Sequence, residues 1–383
     1  MFYWLLAGSL LIVCGASNAQ NRPEPQKLTP FANAAAVSQI EDYEQRLWTQ
    51  AREADQAIDK ADLLLRQQEI DAYLQGIANK LYPEFAGRIA LHVFRAPQAN
   101  AFCLPNGSIY INQGLIARME NEAQLASVIG HEIAHFTHRH SYANTNTVKS
   151  AAAFASVAGL LGGGILSDLL AISSITGYSR DLEREADAVG FARMVKAGYD
   201  PSEAIKVFTL LRDEAKALDS KEPFLFASHP KLQERIDNFT RLAAKHTGGS
   251  DAGLERFTAN TLGLRNASLE MDLSMNRQAV VIQVLENAER RARFSREADY
   301  FLGEAYRLRG KDGDENLARA AYERALANAP AFAPSYRALG IIAMKSKEFS
   351  IAAQHFEKYL ALAPQARDRG YVEQYLETVK AKP

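Results

Sequence analysis

Cysteine is scarce in this chain: its 383 residues hold only Cys14 and Cys103. Cys14 lies in an apolar leader. Once that leader is removed no internal disulfide can form, and the core must hold the fold unaided. Export without disulfides fits a bacterial periplasm. An excess of charge is also missing. A formal net charge of −1 gives no electrostatic reason to expect nucleic acid or an anionic membrane as the main partner. The leader lacks the Lys or Arg that usually precedes a secretory apolar run, and Leu5 to Val13 is too short for a comfortable membrane span.

What is present begins with that leader. Ser17-Asn18-Ala19 puts small residues where a signal peptidase reads, so residues 1–19 are expected to be a signal peptide cleaved near Ala19. Two alternatives stay open. Cys14 could carry a lipid anchor, although bulky Val13 stands where a small residue is expected, or the leader could remain as an uncleaved anchor. The proline-rich polar stretch that follows reads as a tether over residues 20–36.

The body of the chain predicts a mostly helical α+β protein. Residues 37–246 read as one domain and 251–383 as an all-helical repeat domain, with Thr247-Gly248-Gly249-Ser250 between them. Helical spacing runs from about Val37 to Leu81. The period then changes to two, giving strands at Ile89–Phe94 and Ser108–Ile111. From Glu120 the chain returns to helix through Arg139, and a further helix starts near Arg180.

His131-Glu132-Ile133-Ala134-His135 lies in the first of these later helices. Positions four apart share a helix face, so both imidazoles can reach one metal ion with Glu132 beside it. A hydrolytic zinc takes about three protein ligands and keeps one position for water. Glu132 then serves as general base, passing the proton to the leaving amine. The bland alternative is a solvated helix face, against which stand the apolar neighbours Val128, Ile129, Ile133 and Ala134. The third ligand is expected from Arg180-Asp181-Leu182-Glu183-Arg184-Glu185-Ala186-Asp187. Glu183 and Asp187 share a face, while Glu185 lies about 200° round from Glu183 and should point elsewhere. The economical assignment puts Glu183 on the metal, with Asp187 accepting the other ring N–H of a ligand histidine. Alone, this charged run would read as a salt-bridged surface. His138 is about 10 Å along the axis from His131 and cannot share its ion, and His140 should face nearly away. Both read as surface or supporting residues.

Five ordered motifs then carry a resemblance: Asn100-Ala101-Phe102-Cys103-Leu104-Pro105-Asn106-Gly107; Gly114-Leu115; the His131–His135 motif; Ser179-Arg180 with Glu183 and Asp187; and Ser228-His229-Pro230 with Arg235-Ile236. Together they resemble the HtpX-like and CAAX-prenyl-endopeptidase-like gluzincins, closely over roughly Glu69 to Arg241. The resemblance implies a helical metallopeptidase domain with a small β-sheet and one Zn2+ per chain on His131, His135 and Glu183. Glu132 would be the base and Asp187 an acidic partner. It implies action on misfolded or stalled outer-membrane proteins in the periplasm. It also places His229 near the zinc, where it could block the open position in a latent state, and matches Arg235 to the motif's arginine. For His229 the alternative is a capping position before a helix opened by Pro230. Cys103 departs from the small residue relatives often carry and reads as a buried small hydrophobe or a redox-sensitive thiol. The strand at 108–111 is the candidate exposed edge for holding an extended peptide.

Residues 151–178, rich in Ala, Gly, Leu and Ile, separate the two parts of the zinc site. One span needs about 20 residues and two need about 40. A single crossing would part His131 from Glu183, and a double crossing does not fit. The segment is therefore expected to be a lid hinged at Gly162-Gly163-Gly164 or a core helix, with peripheral membrane contact open to it.

The C-terminal region repeats. Leu302-Gly303, Tyr306, Ala318, Tyr322, Ala325 and Pro330 follow the tetratricopeptide (TPR) pattern, and the unit from Tyr336 to Pro364 repeats it. The pair around Leu262–Glu289 reads as a degenerate unit, and Tyr371–Val379 as a cap. Such solenoids bind proteins or peptides, which makes protein substrates and outer-membrane assembly machinery the expected partners. A purely structural buttress is the alternative. At the level of function, the alternative to an endopeptidase is a TPR chaperone or scaffold with minor or latent protease activity.

Overall fold

The computed structural model describes residues 28–38, 40, 42–144, 178–219, 232–246 and 249–382. The expected signal peptide with Cys14, nearly all of the 151–178 segment, and His229 lie outside the described residues.

A four-stranded mixed sheet anchors the first domain. Its strands are β1 (Leu64–Leu65), β2 (Ala90–Phe94), β3 (Ala101–Cys103) and β4 (Ser108–Asn112), in the order β1-β2-β4-β3. β1 runs antiparallel to β2, β2 parallel to β4, and β3 antiparallel to β4. Side chains alternate along the strands. Leu91, Val93, Ile109 and Ile111 join the main core, while Phe94, Phe102 and Tyr110 join a second cluster with Ala51, Ala54 and Ile58. Those last three lie on α1 (Asp42–Lys60), which therefore covers the opposite face. The helical run expected from Val37 to Leu81 is in fact two helices, α1 and α2 (Gln68–Leu81), with β1 between them.

Two expectations are corrected here. Residues 108–111 are no edge: β4 is flanked by β2 and β3 and buried along its length. Among the described residues, β3 is the edge strand on that side. The end of the expected tether is also packed, not free. Phe31 is buried, lies 5.8 Å from the Phe136 ring, and donates its N–H to the Thr137 carbonyl at 2.8 Å. Burying a phenylalanine outweighs the freedom a linker would keep.

After α3 (Gln113–Arg118) comes α4 (Glu122–Thr137), all of whose residues are buried. Asn121 caps it, accepting from the Gln124 N–H at 3.0 Å. Short α5 (His140–Asn144) follows, then α6 (Arg180–Lys196), α7 (Ser202–Ala217) and α8 (Leu232–Ala243). α6 crosses α4 at Gly190 over Gly130. A methyl on Gly190 would lie 2.7 Å from the His131 nitrogen and 2.8 Å from the Gly130 carbonyl carbon. Only two glycines allow backbones this close, and the contact falls beside His131.

Beyond this domain the chain is helical: α9 (Leu254–Ser274), α10 (Gln278–Leu285), α11 (Ala288–Arg291), α12 (Ala298–Arg309), α13 (Asp314–Asn328), α14 (Ala333–Lys345), α15 (Phe349–Leu362) and α16 (Arg369–Lys380). Most pack on their neighbours in sequence. Gly303 faces the Tyr322 ring and Gly340 the Phe356 ring, closer than an added Cβ would permit. α9 belongs to both regions: Phe257 and Leu264 join the first core, and Leu269 joins the next. Below them, buried Arg118 pairs with Glu214 at 2.8 Å and Asp272 at 3.0 Å. Arg277 closes the square, at 2.6 Å from Glu214 and 2.9 Å from Asp272. An ionic lattice thus links the two regions.

Candidate metal centre

α4 supplies His131 and His135 one turn apart, and α6 brings Glu183 across them. All three are buried, and their ligand atoms lie within 4.8 Å of one another. The two Nε2 atoms are 3.0 Å apart. Glu183 Oε2 is 3.6 Å from His131 Nε2, and its Oε1 is 3.5 Å from His135 Nε2. A tetrahedral ion with bonds of about 2.0–2.1 Å holds its ligand atoms about 3.3–3.4 Å apart. The three observed separations bracket that value. Two imidazoles and one carboxylate are also the donor chemistry zinc takes, so these residues fit one such ion.

The far side of each ring is also held. His131 Nδ1 lies 2.9 Å from Asp187 Oδ1. The same carboxylate accepts two bonds from Arg235, Nη2 at 2.6 Å and Nε at 3.1 Å. Arg235 Nη2 also approaches His131 Nδ1 at 3.2 Å. A guanidinium can only donate, so a ring that offers its Nε2 lone pair to a metal carries its proton on Nδ1 and donates it to Asp187. Arg235 is buried. Burial alone would lower its pKa, but the charges of Asp187 and Glu183 outweigh that and hold it raised. Its single positive charge is shared between Asp187 and Glu183 and offsets one of the two.

His135 is held differently. Its Nδ1 is 2.9 Å from Nδ1 of His140, whose Nε2 lies 3.5 Å from a Glu185 carboxylate oxygen. One sequence expectation is corrected by this: His140 does not face away. Glu185 takes no place among the three ligand atoms and meets His140 instead. The His140 expectation continued the helix through Arg139. Instead α4 ends at Thr137, and Arg139 takes a left-handed φ of 58°, which turns the chain back and sets His140 beside His135. Glu185 then needs to reach only the near end of α5. Burial, and secondarily the His138 charge, push the His140 pKa down to about 3. It is therefore neutral and free to accept from His135 Nδ1–H. The Tyr178 ring stacks on His135 at 3.9 Å, and its hydroxyl lies 3.0 Å from Ser141 Oγ. No spacing rule pointed to Tyr178. His138 is only partly buried and takes no place around the three ligand atoms.

Glu132 is buried and lines, with His131, Arg235 and Phe208, a cavity of about 20 Å3. That is room for one water. Cys103 is buried, and burial raises its thiol pKa well above the ordinary range. It is thus a packed small side chain with no reactive thiolate.

Residues 64–243 match the family model described as Peptidase family M48. The chain is similar to the mitochondrial metalloendopeptidase OMA1 of Schizosaccharomyces pombe, 34% identical over 149 residues, covering 38% of this chain and 44% of that protein. It is similar to a putative beta-barrel assembly-enhancing protease of Vibrio cholerae, 32% identical over 167 residues, 40% of this chain and 34% of the relative. It is also similar to the beta-barrel assembly-enhancing protease of Escherichia coli, 28% identical over 187 residues, 44% of this chain and 38% of the relative. The chain spans less than half the length of each of these relatives.

Proposed function

We propose, from the premise that residues 64–243 are a peptidase family M48 domain, that the protein is a zinc metalloendopeptidase holding its metal on His131, His135 and Glu183. The observation that carries this reading is the convergence of those three donors from two helices at separations that suit one ion. A zinc bound there supplies Lewis acidity to a peptide carbonyl and lowers the pKa of water towards about 7. The chain's own residues do the rest. Glu132 accepts the proton of the attacking water and delivers it to the leaving amine. Asp187 fixes the tautomer and orientation of His131, and His140 does so for His135. Arg235 holds Asp187 in place. The outward backbone groups of β3 offer hydrogen bonds to an extended peptide with little side-chain selectivity. His229, by its motif, is assigned a place near the zinc.

The remaining parts of the reading follow from the sequence. The apolar leader sends the chain to a periplasm. The helices from α12 to α15 form a TPR solenoid that recruits substrates. Two relatives are named for beta-barrel assembly, which supports stalled outer-membrane proteins and their assembly machinery as the candidate clients. The test is Glu132→Gln. It should keep its zinc and lose casein cleavage by about 10²–10⁴-fold. Cleavage at the wild-type rate would refute the assigned base.

A further inference from the structure

Four arginines, Arg290, Arg291, Arg293 and Arg296, fall within seven residues of a chain whose net charge is −1. Two carboxylates answer part of that charge. Glu120 pairs with Arg290 at 2.8 Å and lies 3.7 Å from Arg293. Asp299 pairs with Arg291 at 3.0 Å and with Arg324, from α13, at 2.9 Å. Arg296 is exposed and has no ion pair among the described residues. Beneath them Arg265 is 1% exposed. Its guanidinium lies 3.9 Å over the Phe294 ring and donates to the Arg293 carbonyl at 3.0 Å, but its Nε has no hydrogen-bond partner among the described residues. Burial, then the neighbouring Arg293 charge, draws its pKa down to about 10. A cation held in such company marks a positive local potential.

This potential opens onto a cavity of about 400 Å3 between α11, α12 and α13, within the range of ligand pockets. Arg291, Arg296 and Arg324 line it with Asp299, leaving two positive charges in excess. Ala288, Ala292, Phe294 and Ala298 form an apolar wall. Ser295 also lines it, and its buried Oγ has no hydrogen-bond partner among the described residues.

We propose that this groove binds an acidic segment of a polypeptide, with carboxylates on Arg296 and Arg324 and a small apolar side chain on the wall by Phe294. Asp299 shows that a carboxylate fits between Arg291 and Arg324. Planar guanidinium forks match carboxylates, and the unpartnered hydroxyl suits a peptide amide. The apolar wall suits an alternating side-chain pattern better than a hydrated ion. This deepens the recruiting role proposed for the helical array and rests on that reading, not on catalysis.

The test uses the full-length Glu132→Gln protein, which should not cut its probe. A fluorescein-labelled, end-blocked peptide of alternating Glu and Ala is titrated by anisotropy, beside its Gln counterpart and vesicles of anionic phospholipid. The Glu peptide should bind at least tenfold more tightly than the Gln peptide. That advantage should vanish in Arg296→Ala/Arg324→Ala, with an unchanged thermal melt. Should the double variant melt early, Arg296→Ala alone, whose side chain holds no ion pair among the described residues, should still weaken binding several-fold. Equal affinity for the two peptides, undiminished binding by the variants, or binding of vesicles only would each overturn the proposal. Because cleavage is not the readout, a negative result leaves the peptidase reading standing, and a failed peptidase assay leaves this one standing.

Discussion

The metal-bearing domain and the helical array that follows it are built on opposite principles. In the array, α12 packs on α13 and α14 on α15, so each helix meets partners that lie next to it in sequence. Small residues such as Gly303 and Gly340 face aromatic rings one helix away. In the metal domain the decisive contacts span long stretches of chain: Gly130 on Gly190, Arg235 on Asp187, Arg118 on Glu214. The array spreads its stability over many local contacts, whereas the metal domain concentrates function in a few long-range ones. Damage to one side chain should therefore stay local in the array and propagate in the metal domain.

The sharpest way to break that contrast is at the seam between the regions. Arg118→Ala leaves Glu214 and Asp272 buried with one cation, Arg277, to share. It should cost about 3–5 kcal/mol, seen as a lower denaturant midpoint for both regions together. If the array alone loosened, the lattice would not couple them. The two kinds of glycine contact come next. Gly190→Ala drives a methyl into backbone at 2.7 Å, whereas Gly340→Ala meets the edge of the Phe356 ring, which can turn aside. The first should cost about 3 kcal/mol and the second about 1 kcal/mol, within the range for overpacking. Only the first should also weaken zinc binding, because it displaces His131. Equal costs, with zinc affinity untouched in both, would erase the distinction. The smallest effect on stability is expected at His140→Ala. His135 keeps its place on α4 but loses the group that orients its ring. Zinc affinity should fall about 10–100-fold with little change in the melt, measured by competition with a chelator dye.

The same contrast explains what the sequence made legible. The spacing of His131 and His135 needs only the helical repeat, and so does the shared face of Glu183 and Asp187. The array's helices were readable for the same reason, since their contacts recur at fixed local intervals. The support for His135 was not readable. It depends on Arg139 adopting a left-handed conformation that no residue type there demands, and the place of His140 follows from that turn. The place of the edge strand was missed because Ala101–Cys103 is short and lies in a stretch that reads as loop. Its insertion beside β4 turns the expected edge into an interior strand. Gly190 could have been suspected, as a glycine in mid-helix is costly unless something approaches closely, but its partner Gly130 is 60 residues away.

Metal content decides between these accounts most directly. Purified protein, with the Glu183→Gln variant beside it, should be analysed for zinc per chain and for ligand type by X-ray absorption. Wild type should carry one zinc with two imidazoles in its shell, and the variant should lose most of it while keeping its helical circular dichroism. A wild-type protein without stoichiometric metal, or a variant that keeps all of it, would contradict a centre shared between these two helices.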